Sequence, residues 1–377
     1  MKQRVSLILV ALFIAVAGAR TAAQSTQSLF GLLPFVPTGA VYTTSNAADG
    51  NAVLIFERSF DGRLRSGGAV STGGAGSGSG LGNQGGVVLT DDERWLLAVN
   101  AGSADISVFR VQRRGLRLVS RTPSGGSRPI SVTVHGRLVY VLNAGSDNIT
   151  GFTLTRQGAL EALAGSTRPL SGTAVDPAQI SFSPGGDLLV VTEKATNQIV
   201  TYTVARDGLP GAPNVQASAG QTPFGFAFGR RDQLFVSEAF GGGPDQSAMS
   251  SYEVDDDGQL RTVSASIGTT ETAACWVAVT PDGRFVYATN TGSGSVTGYD
   301  IGFDGELTIL DANGRTGVTG NGSTPIDVAM SRGGHFLYEL NSGTHTIGAF
   351  FVTHTGALQR LTFTSGLPAA ANGLAAR

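Results

Sequence analysis

A short strand-like run recurs seven times along the chain and limits the folds available to it. Each copy is a run of mostly apolar residues that ends on a polar one. The seven final residues are Ser45, Asn100, Asn143, Glu193, Glu238, Asn290 and Asn341. Their intervals, 43 to 55 residues, match the length of a four-stranded propeller blade.

Three further strands recur in phase with that run. In the copy at residues 274–310, a first strand meets the turn Pro281-Asp282-Gly283 and a second strand ends at Asn290. A third strand follows a Gly/Ser loop, and a fourth follows Asp304-Gly305. Alternation with a period of two between turn residues is typical of half-buried strands. The pattern therefore predicts an all-β, seven-bladed β-propeller of four-stranded antiparallel blades.

The two ends of the repeat array complement each other. The first copy lacks its own first strand, whereas residues 367–376 resemble a first strand preceded by its usual proline. We predict that this C-terminal strand joins the first blade and closes the ring, which removes an exposed sheet edge. Residues 39–377 would then form one domain, after an extension at 24–38. The Gly/Ser-rich stretch 66–86 is interpreted as a long, flexible surface loop of that domain.

The first residues have the order of a targeting segment. Lys2 and Arg4 precede an uncharged, apolar run at 5–18, and small residues follow. This order is typical of a secretory signal peptide, which we expect to span residues 1–23, with cleavage after Ala23. The alternative is a retained membrane anchor, for which the run is short. The predicted location is secreted or periplasmic.

Charge and cysteine content exclude several classes of function. The chain has 26 Lys and Arg against 28 Asp and Glu, so neither nucleic acid nor, after signal cleavage, a membrane is an expected partner. Cys275 is the only cysteine, so no disulfide forms within the chain. Its place beside Trp276 in an apolar strand predicts a buried core residue rather than a nucleophile. We expect a monomer.

Turn and strand residues of the repeat suggest a family. The first turns at 280–283 (TPDG) and 183–186 (SPGG), the strands ending in V-x-N, and the D-G-x-L before fourth strands resemble the seven-bladed propeller lactonases. Members of that family resemble 6-phosphogluconolactonase and the fungal carboxymuconate-lactonizing enzymes. The resemblance implies hydrolysis of a lactone, or the reverse ring closure, on a small-molecule lactone or carbohydrate. It also implies histidines at the start of inner strands, where this chain has none.

The histidines lie elsewhere in the repeat. Only His345 falls in a loop after a second strand. His135 and His335 fall in turns after first strands, and His354 falls near a turn after a third strand, so all three are expected on the opposite rim of the ring.

Departures from the repeated Asn single out a candidate catalytic group. Glu193 and Glu238 replace that Asn in successive blades, and Lys194 follows Glu193. Loops after second strands share a rim with loops before first strands, so we expect these side chains together at one channel mouth. Carboxylates and an ammonium in proximity would perturb each other's pKa values, as general acid–base catalysis needs. The alternative is a solvated salt bridge on the rim. The long loop 239–248 would cover this mouth.

Other polar residues on that rim are candidate substrate ligands. Arg128 would hold a carboxylate or phosphate, and Trp276 would stack on a sugar or lactone ring. The full set is Arg128, Asp176, Gln179, Trp276, Asp327 and His345.

The repeated Asn residues favour a structural role, because Asn stabilises turns by bonding nearby backbone. The alternative is a ring of amide oxygens holding Ca²⁺, and otherwise no cofactor is expected. Two functions remain open from the residues: a lactonase-like hydrolase at the channel mouth, and a non-catalytic secreted module that binds a polysaccharide, a surface component or a protein.

Overall fold

Seven antiparallel sheets form the part of the chain that the computed structural model describes, residues 35–377. The inner strands of the sheets contact one another in a closed circuit around a central channel. This confirms the all-β, seven-bladed propeller. The predicted signal peptide, residues 1–23, lies outside the described residues, as does most of the 24–38 extension.

Strands are numbered in chain order, and each blade runs from an inner strand at the channel to an outer strand. Blade 1 holds β1 (Pro37–Thr44), β2 (Ala52–Ser59), β3 (Leu64–Ser71) and the last strand, β30 (Asn372–Ala376). Blade 2 holds β4 (Val87–Leu89), β5 (Trp95–Asn100), β6 (Asp105–Val111) and β7 (Leu116–Pro123). Blade 3 holds β8 (Pro129–His135), β9 (Leu138–Asn143), β10 (Asn148–Leu154), β11 (Leu160–Ala162) and β12 (Arg168–Pro169).

The remaining blades follow the same plan. Blade 4 holds β13 (Pro177–Phe182), β14 (Leu188–Glu193), β15 (Gln198–Thr203) and β16 (Asn214–Ala217). Blade 5 holds β17 (Pro223–Phe228), β18 (Gln233–Glu238), β19 (Ala248–Val254) and β20 (Leu260–Gly268). Blade 6 holds β21 (Ala274–Val279), β22 (Phe285–Asn290), β23 (Ser295–Ile301), β24 (Leu307–Ile309) and β25 (Gly317–Val318). Blade 7 holds β26 (Pro325–Met330), β27 (Phe336–Asn341), β28 (Thr346–Val352) and β29 (Leu358–Ser365).

Helix is limited, in residues 35–377, to one 3-10 turn at Phe240–Gly242. Across those same residues there is accordingly no helix with the length and apolar character needed to span a membrane.

Burial explains which strands read as apolar runs. Second strands such as β5 and β14 are buried at every position, because both faces pack against neighbouring blades. A strand buried on both faces carries a continuous apolar run rather than strict alternation. Outer strands such as β3 expose most of their residues and carry Gly and Ser instead.

Tyrosines at one position of the second strand join blades to each other. The hydroxyl of Tyr140 donates to the carbonyl of Gly208 in blade 4 at 2.7 Å. The hydroxyl of Tyr287 donates in the same way to Gly356 in blade 7, also at 2.7 Å. Because these hydroxyls are buried, the bonds also satisfy the polar end of each ring.

The ring closes within blade 1, as the sequence predicts. β30 pairs antiparallel with β1, with Tyr42 opposite Ala375 and Thr44 opposite Asn372. The amide of Arg377 donates to the carbonyl of Ala40 at 2.9 Å, which extends the ladder to the final residue.

Residues 66–86 form a surface loop only in part, between residues 72 and 80, so that expectation is wrong for the rest of the stretch. Residues 66–71 belong to β3, and Leu81 and Asn83 are buried. Residues 81–86 cross the channel, and we call them the plug. The composition of this stretch does not predict that it enters the channel.

Candidate functional site

The plug fills the channel at the loop rim, the rim formed by loops such as 194–197 that follow second strands. Asn83 bonds three blades at once. Its carbonyl accepts from the indole of Trp276 at 2.6 Å, and its Oδ1 accepts from Asn372 at 3.0 Å. Its Nδ2 donates to the carbonyl of Ile130. One plug residue thus links blades 6, 1 and 3.

Gln84 pairs with the exposed edge of an inner strand. Its Nε2 donates to the carbonyl of Val277 at 2.7 Å, and its Oε1 accepts from the amide of Val277 at 3.0 Å. Inner strands are sheet edges, so their channel-facing backbone groups need partners. Gln179 supplies them in the same way for Phe226 in blade 5, at 3.0 and 2.8 Å. Gly225 is required beside the plug, since a Cβ there would lie 2.1 Å from the Oε1 of Gln84.

Glu193 is buried in its own blade. One carboxylate oxygen accepts from the amide of Ser171 at 2.9 Å, and the other accepts from the hydroxyls of Ser171 and Thr196. The side chain is fully buried, with 0% of the residue exposed. These donors occupy the carboxylate and tie the second strand to the loops on either side of it.

Glu238 has an equivalent arrangement in blade 5. Its carboxylate accepts from the amide of Gly220 at 2.8 Å and from the hydroxyls of Ser250 and Ser266 at 2.5 and 2.6 Å. Burial raises the pKa of Glu238, and these three hydrogen bonds oppose the rise. The two glutamates share no hydrogen-bond partner, and within residues 35–377 neither forms an ion pair with Lys194. The expected close group of Glu193, Glu238 and Lys194 is therefore not formed.

Lys194 lies against the plug. Its ammonium donates to the carbonyl of Gly82 at 2.6 Å, lies 3.4 Å from Oδ1 of Asp176, and sits 4.8 Å from the ring centre of Phe224. Burial lowers the pKa of Lys194, and Asp176 partly opposes that effect. Asp176 and Arg128 are exposed beside it. Three of the sequence candidates thus form a charged group on the loop rim, next to the plug.

The other predicted ligands are separated from one another. Trp276 is 4% exposed, and its ring packs on Phe224 with centres 4.9 Å apart, so it is not open to stack on a sugar. Asp327 is buried on β26, and burial raises its pKa well above the usual range. His345 is exposed on the loop rim of blade 7, and its role stays a prediction.

The repeated Asn side chains turn into their own blades. Nδ2 of Asn100 donates to Asp105 and Ser107, and Nδ2 of Asn290 donates to Ser295 and Thr297. Each bond joins the second strand to the third. This geometry matches the structural interpretation, and the Ca²⁺ alternative stays a prediction.

The channel remains open at the hairpin rim, the rim formed by turns such as 281–284 that follow first strands. The plug closes its inner end and leaves a blind cavity of about 380 Å³, which we call the channel cavity. Polar side chains converge on it from several blades: Gln84, Asp91, Thr133, His135, Gln179, Ser181 and Ser183. A walled cavity with a few converging polar groups is the usual form of a small-molecule site. Of these residues, the sequence singled out only Gln179 as a ligand.

His135, at the end of β8, is held in place by blade 4. Its ring lies 5.9 Å from that of Phe182, at 52°. Gly186 approaches its other side, where a Cβ would lie 2.2 Å from Cδ2 of His135, and Gly186 also has a positive φ of 77°. Only glycine allows this approach. His135 lies on the rim opposite the loop rim, as the sequence predicted.

Fold and site together define a seven-bladed propeller with a blind central cavity. A family model, described as "Lactonase, 7-bladed beta-propeller", matches residues 49–176 and 246–371, which together exceed half of the chain. The chain therefore belongs to this lactonase propeller family, as the sequence resemblance indicated. Gln179, Glu193, Lys194 and Glu238 all lie between the two matched segments.

Solved structures share the fold across most of the chain. A protein of Bacteroides fragilis, provisionally assigned as a 6-phosphogluconolactonase, is 18% identical over 90% of this chain and 98% of its own, with a TM-score of 0.70. The periplasmic gluconolactonase of Pseudomonas aeruginosa is 15% identical over 89% and 98%, with a TM-score of 0.67. A Lactobacillus plantarum protein is 16% identical over 91% and 100%, with a TM-score of 0.72. No curated protein matches by sequence. At these identities the likeness concerns the fold alone.

Proposed function

We propose that the chain is a secreted or periplasmic lactonase-like hydrolase that opens a small hydroxylated lactone in the channel cavity. Membership of the lactonase family supports the reaction class. The observation that carries the choice of site is the plug, which fills the loop rim and, within residues 35–377, leaves a cavity that opens at the hairpin rim.

His135 is the general base of this proposal. Imidazole is the most frequent general base in enzymes, and His135 is the histidine that lines the channel cavity. It takes a proton from water as the water oxygen attacks the lactone carbonyl carbon. When the ring C–O bond then breaks, the imidazolium returns that proton to the leaving oxygen. The product is an open hydroxy acid.

Two amides are suited to the oxyanion of this reaction. Nε2 of Gln84 and Nε2 of Gln179 each use one hydrogen on a main-chain carbonyl. A carboxamide nitrogen has two hydrogens, so each retains one donor for the carbonyl oxygen of the substrate. Removing a single such donor typically costs about 10²–10³ in kcat. The hydroxyl of Thr133 accepts from the amide of Phe182 at 3.1 Å and keeps its own hydrogen for a substrate hydroxyl.

A lactone panel assayed by acid release tests the proposal. We expect His135→Asn to lower kcat by about 10² or more, the range of general-base catalysis. His345→Asn, on the other rim, is the matched control and should keep the wild-type rate. A wild-type rate in His135→Asn would overturn the assignment of the base.

The non-catalytic alternative is favoured by one observation: the glutamates expected to act at the mouth are occupied by hydrogen bonds within their blades. In that case no lactone on the panel would turn over, while a sugar or lactone would still bind to the channel cavity by calorimetry.

A further inference from the structure

A second, larger recess lies on the hairpin rim between blades 6 and 7. We call it the blade 6/7 groove; its volume is about 820 Å³. Its walls are the turn 280–285 of blade 6, the turn 333–335 of blade 7 and the segment 351–359 of blade 7. It shares no lining residue with the channel cavity. The groove is therefore a separate place on the molecule.

The groove is fixed in shape by contacts between the two blades. The hydroxyl of Tyr287 in blade 6 donates to the carbonyl of Gly356, at the tip of the blade 7 turn. Gly356 has a φ of 82°, and a Cβ there would lie 2.7 Å from the ring of Phe285. Glycine at 356 thus lets the turn seat directly on the floor formed by Phe285 and Val352, which are both buried. A preformed groove binds without a cost of ordering its walls.

Arg284 supplies positive charge at the exposed edge of this groove. The guanidinium of Arg284 lies 4.9 Å from the ring centre of Phe285, directly over the floor. Within residues 35–377 it forms no ion pair. His335 and His354 are exposed beside it, and they line the same groove.

Asp282 is the acidic residue of the lining, and its carboxylate already accepts hydrogen bonds within its own turn. Its Oδ1 accepts from the hydroxyl of Thr280 at 2.6 Å and from the amide of Arg284 at 3.1 Å. Burial raises the pKa of Asp282, but these bonds and the nearby guanidinium of Arg284 outweigh it and hold the pKa below its usual value. In the described part of the chain Arg284 forms no ion pair, whereas the carboxylate of Asp282 is occupied by hydrogen bonds, so the guanidinium is available for a carboxylate of the ligand. The imidazoles of His335 and His354 add hydrogen-bond donors beside it.

The remaining lining groups identify the rest of the ligand. Thr353 and Thr355, with hydroxyls 3.0 Å apart, and Gln359 offer donors and acceptors for several hydroxyl groups. Pro281 and Ala357 are exposed in the lining and add apolar surface that fits the C–H face of a sugar ring. Carboxylate, hydroxyls and an apolar face occur together in a uronic acid. A groove of this size lies in the range of sites for ligands larger than one sugar.

We propose that the blade 6/7 groove binds an acidic oligosaccharide, with Arg284, His335 and His354 contacting its carboxylates. This goes beyond lactone hydrolysis, because it gives the protein a means of attachment to an acidic polysaccharide on a surface separate from the channel cavity. The site and the proposed catalytic cavity are independent, so either one can fail without the other.

The four histidines make the test direct. We would titrate the full-length protein with trigalacturonate and follow the four imidazole Cε1–H resonances by NMR. The resonances of His335 and His354 should shift and saturate together, whereas those of His135 and His345 should stay in place. Maltotriose, a neutral trisaccharide, should shift none of them. Unmoved His335 and His354 resonances, or equal shifts of all four, would overturn the proposal.

Two variants distinguish binding in the groove from nonspecific attraction between the ligand and positively charged residues elsewhere. Arg284→Gln should weaken trigalacturonate binding by about tenfold or more, the scale of a lost charge-assisted contact. Arg206→Gln, an exposed arginine in blade 4 outside the groove lining, is the matched control and should bind like the wild type. Both changes lie at exposed positions, so both proteins should fold, which circular dichroism would verify. Equal affinity of the two variants would also contradict the proposal.

Discussion

The indole Nε1 of Trp276 donates a hydrogen bond of 2.6 Å to the main-chain oxygen of Asn83, 193 residues earlier in the chain. Both residues are buried, and the bond anchors the plug to blade 6. A tryptophan expected to stack on a substrate therefore holds the channel closed.

We expect Trp276→Phe to destabilise the protein by about 1–3 kcal/mol beyond the loss of ring packing, because it leaves the carbonyl of Asn83 buried without this donor. Urea unfolding would measure the change. Trp95→Phe is the control, since Trp95 is also buried but its indole nitrogen forms no hydrogen bond within the described residues. If the two variants lost the same free energy of unfolding, the bond would contribute nothing.

Glu339 predicts an unusual dependence of stability on pH. It is fully buried on β27, at the position where β9 and β22 carry Val141 and Ala288, and Asn341 donates to its Oε1 at 3.1 Å. Burial raises its pKa to about 8, and the bond from Asn341 opposes this rise. The folded state therefore retains a proton that the unfolded state releases at a lower pH. The stabilisation is fully present below the unfolded pKa and is lost as the pH rises through about 8.

The matched variant is Glu339→Gln, which keeps an oxygen for Asn341 and does not titrate. Between pH 5 and pH 8.5, the wild type should lose stability relative to this variant. The loss should be on the order of a few kcal/mol, which is the scale implied by the raised pKa of Glu339. Urea unfolding at several pH values would measure the difference. Parallel pH profiles would show that Glu339 does not carry a proton in the folded state.

Glu193 and Glu238 should prove structural. In Glu193→Gln and Glu238→Gln, an amide group faces the N–H and O–H donors that now bond the carboxylate, so we expect a loss of about 1–3 kcal/mol in each. Lactone turnover per folded molecule should be unchanged, and Glu306→Gln, at an exposed position, should change neither property. A large fall in kcat without loss of stability would return these residues to the catalytic role first expected of them.

Deletion of residues 372–377 should destabilise the whole ring cooperatively, because it removes the inner strand of blade 1 and the partner of Asn83. Removal of Ala376 and Arg377 alone leaves Asn372 paired with Thr44 and should cost much less. Calorimetry would compare the two. If the longer truncation melted like the full-length protein, closure would not stabilise the ring.

The blades were predictable because each one repeats the same local rules. An Asn like Asn290 and a turn like 281–283 recur at the same places in several blades. The last strand is recognisable because the first copy of the repeat lacks its own first strand. The burial of Cys275 followed from its apolar neighbours and is confirmed. These features depend on periodicity and on turn chemistry, which a sequence displays directly.

The plug was not predictable in the same way. Gln84 and Asn83 sit in a stretch of Gly and Ser with no period, and their partners lie in four different blades, one of them on the last strand. The hydrogen bonds of Glu193 and Glu238 were not predictable from the sequence for a related reason. Glu193 occupies the position of the repeated Asn but accepts hydrogen bonds instead of donating them, and its donors, Ser171 and Thr196, lie on separate loops. Only the folded ring shows that these hydroxyls and amides meet one carboxylate.

The plug is held in place by residues that come much later in the chain. The carbonyl of Asn83 is satisfied by Trp276, and its side-chain oxygen by Asn372, which is 289 residues further along the chain. A chain without β30 therefore lacks the partner of the Asn83 side chain, and a chain without blade 6 lacks the partner of its carbonyl. A sealed channel thus marks a ring that holds both blade 6 and the last strand.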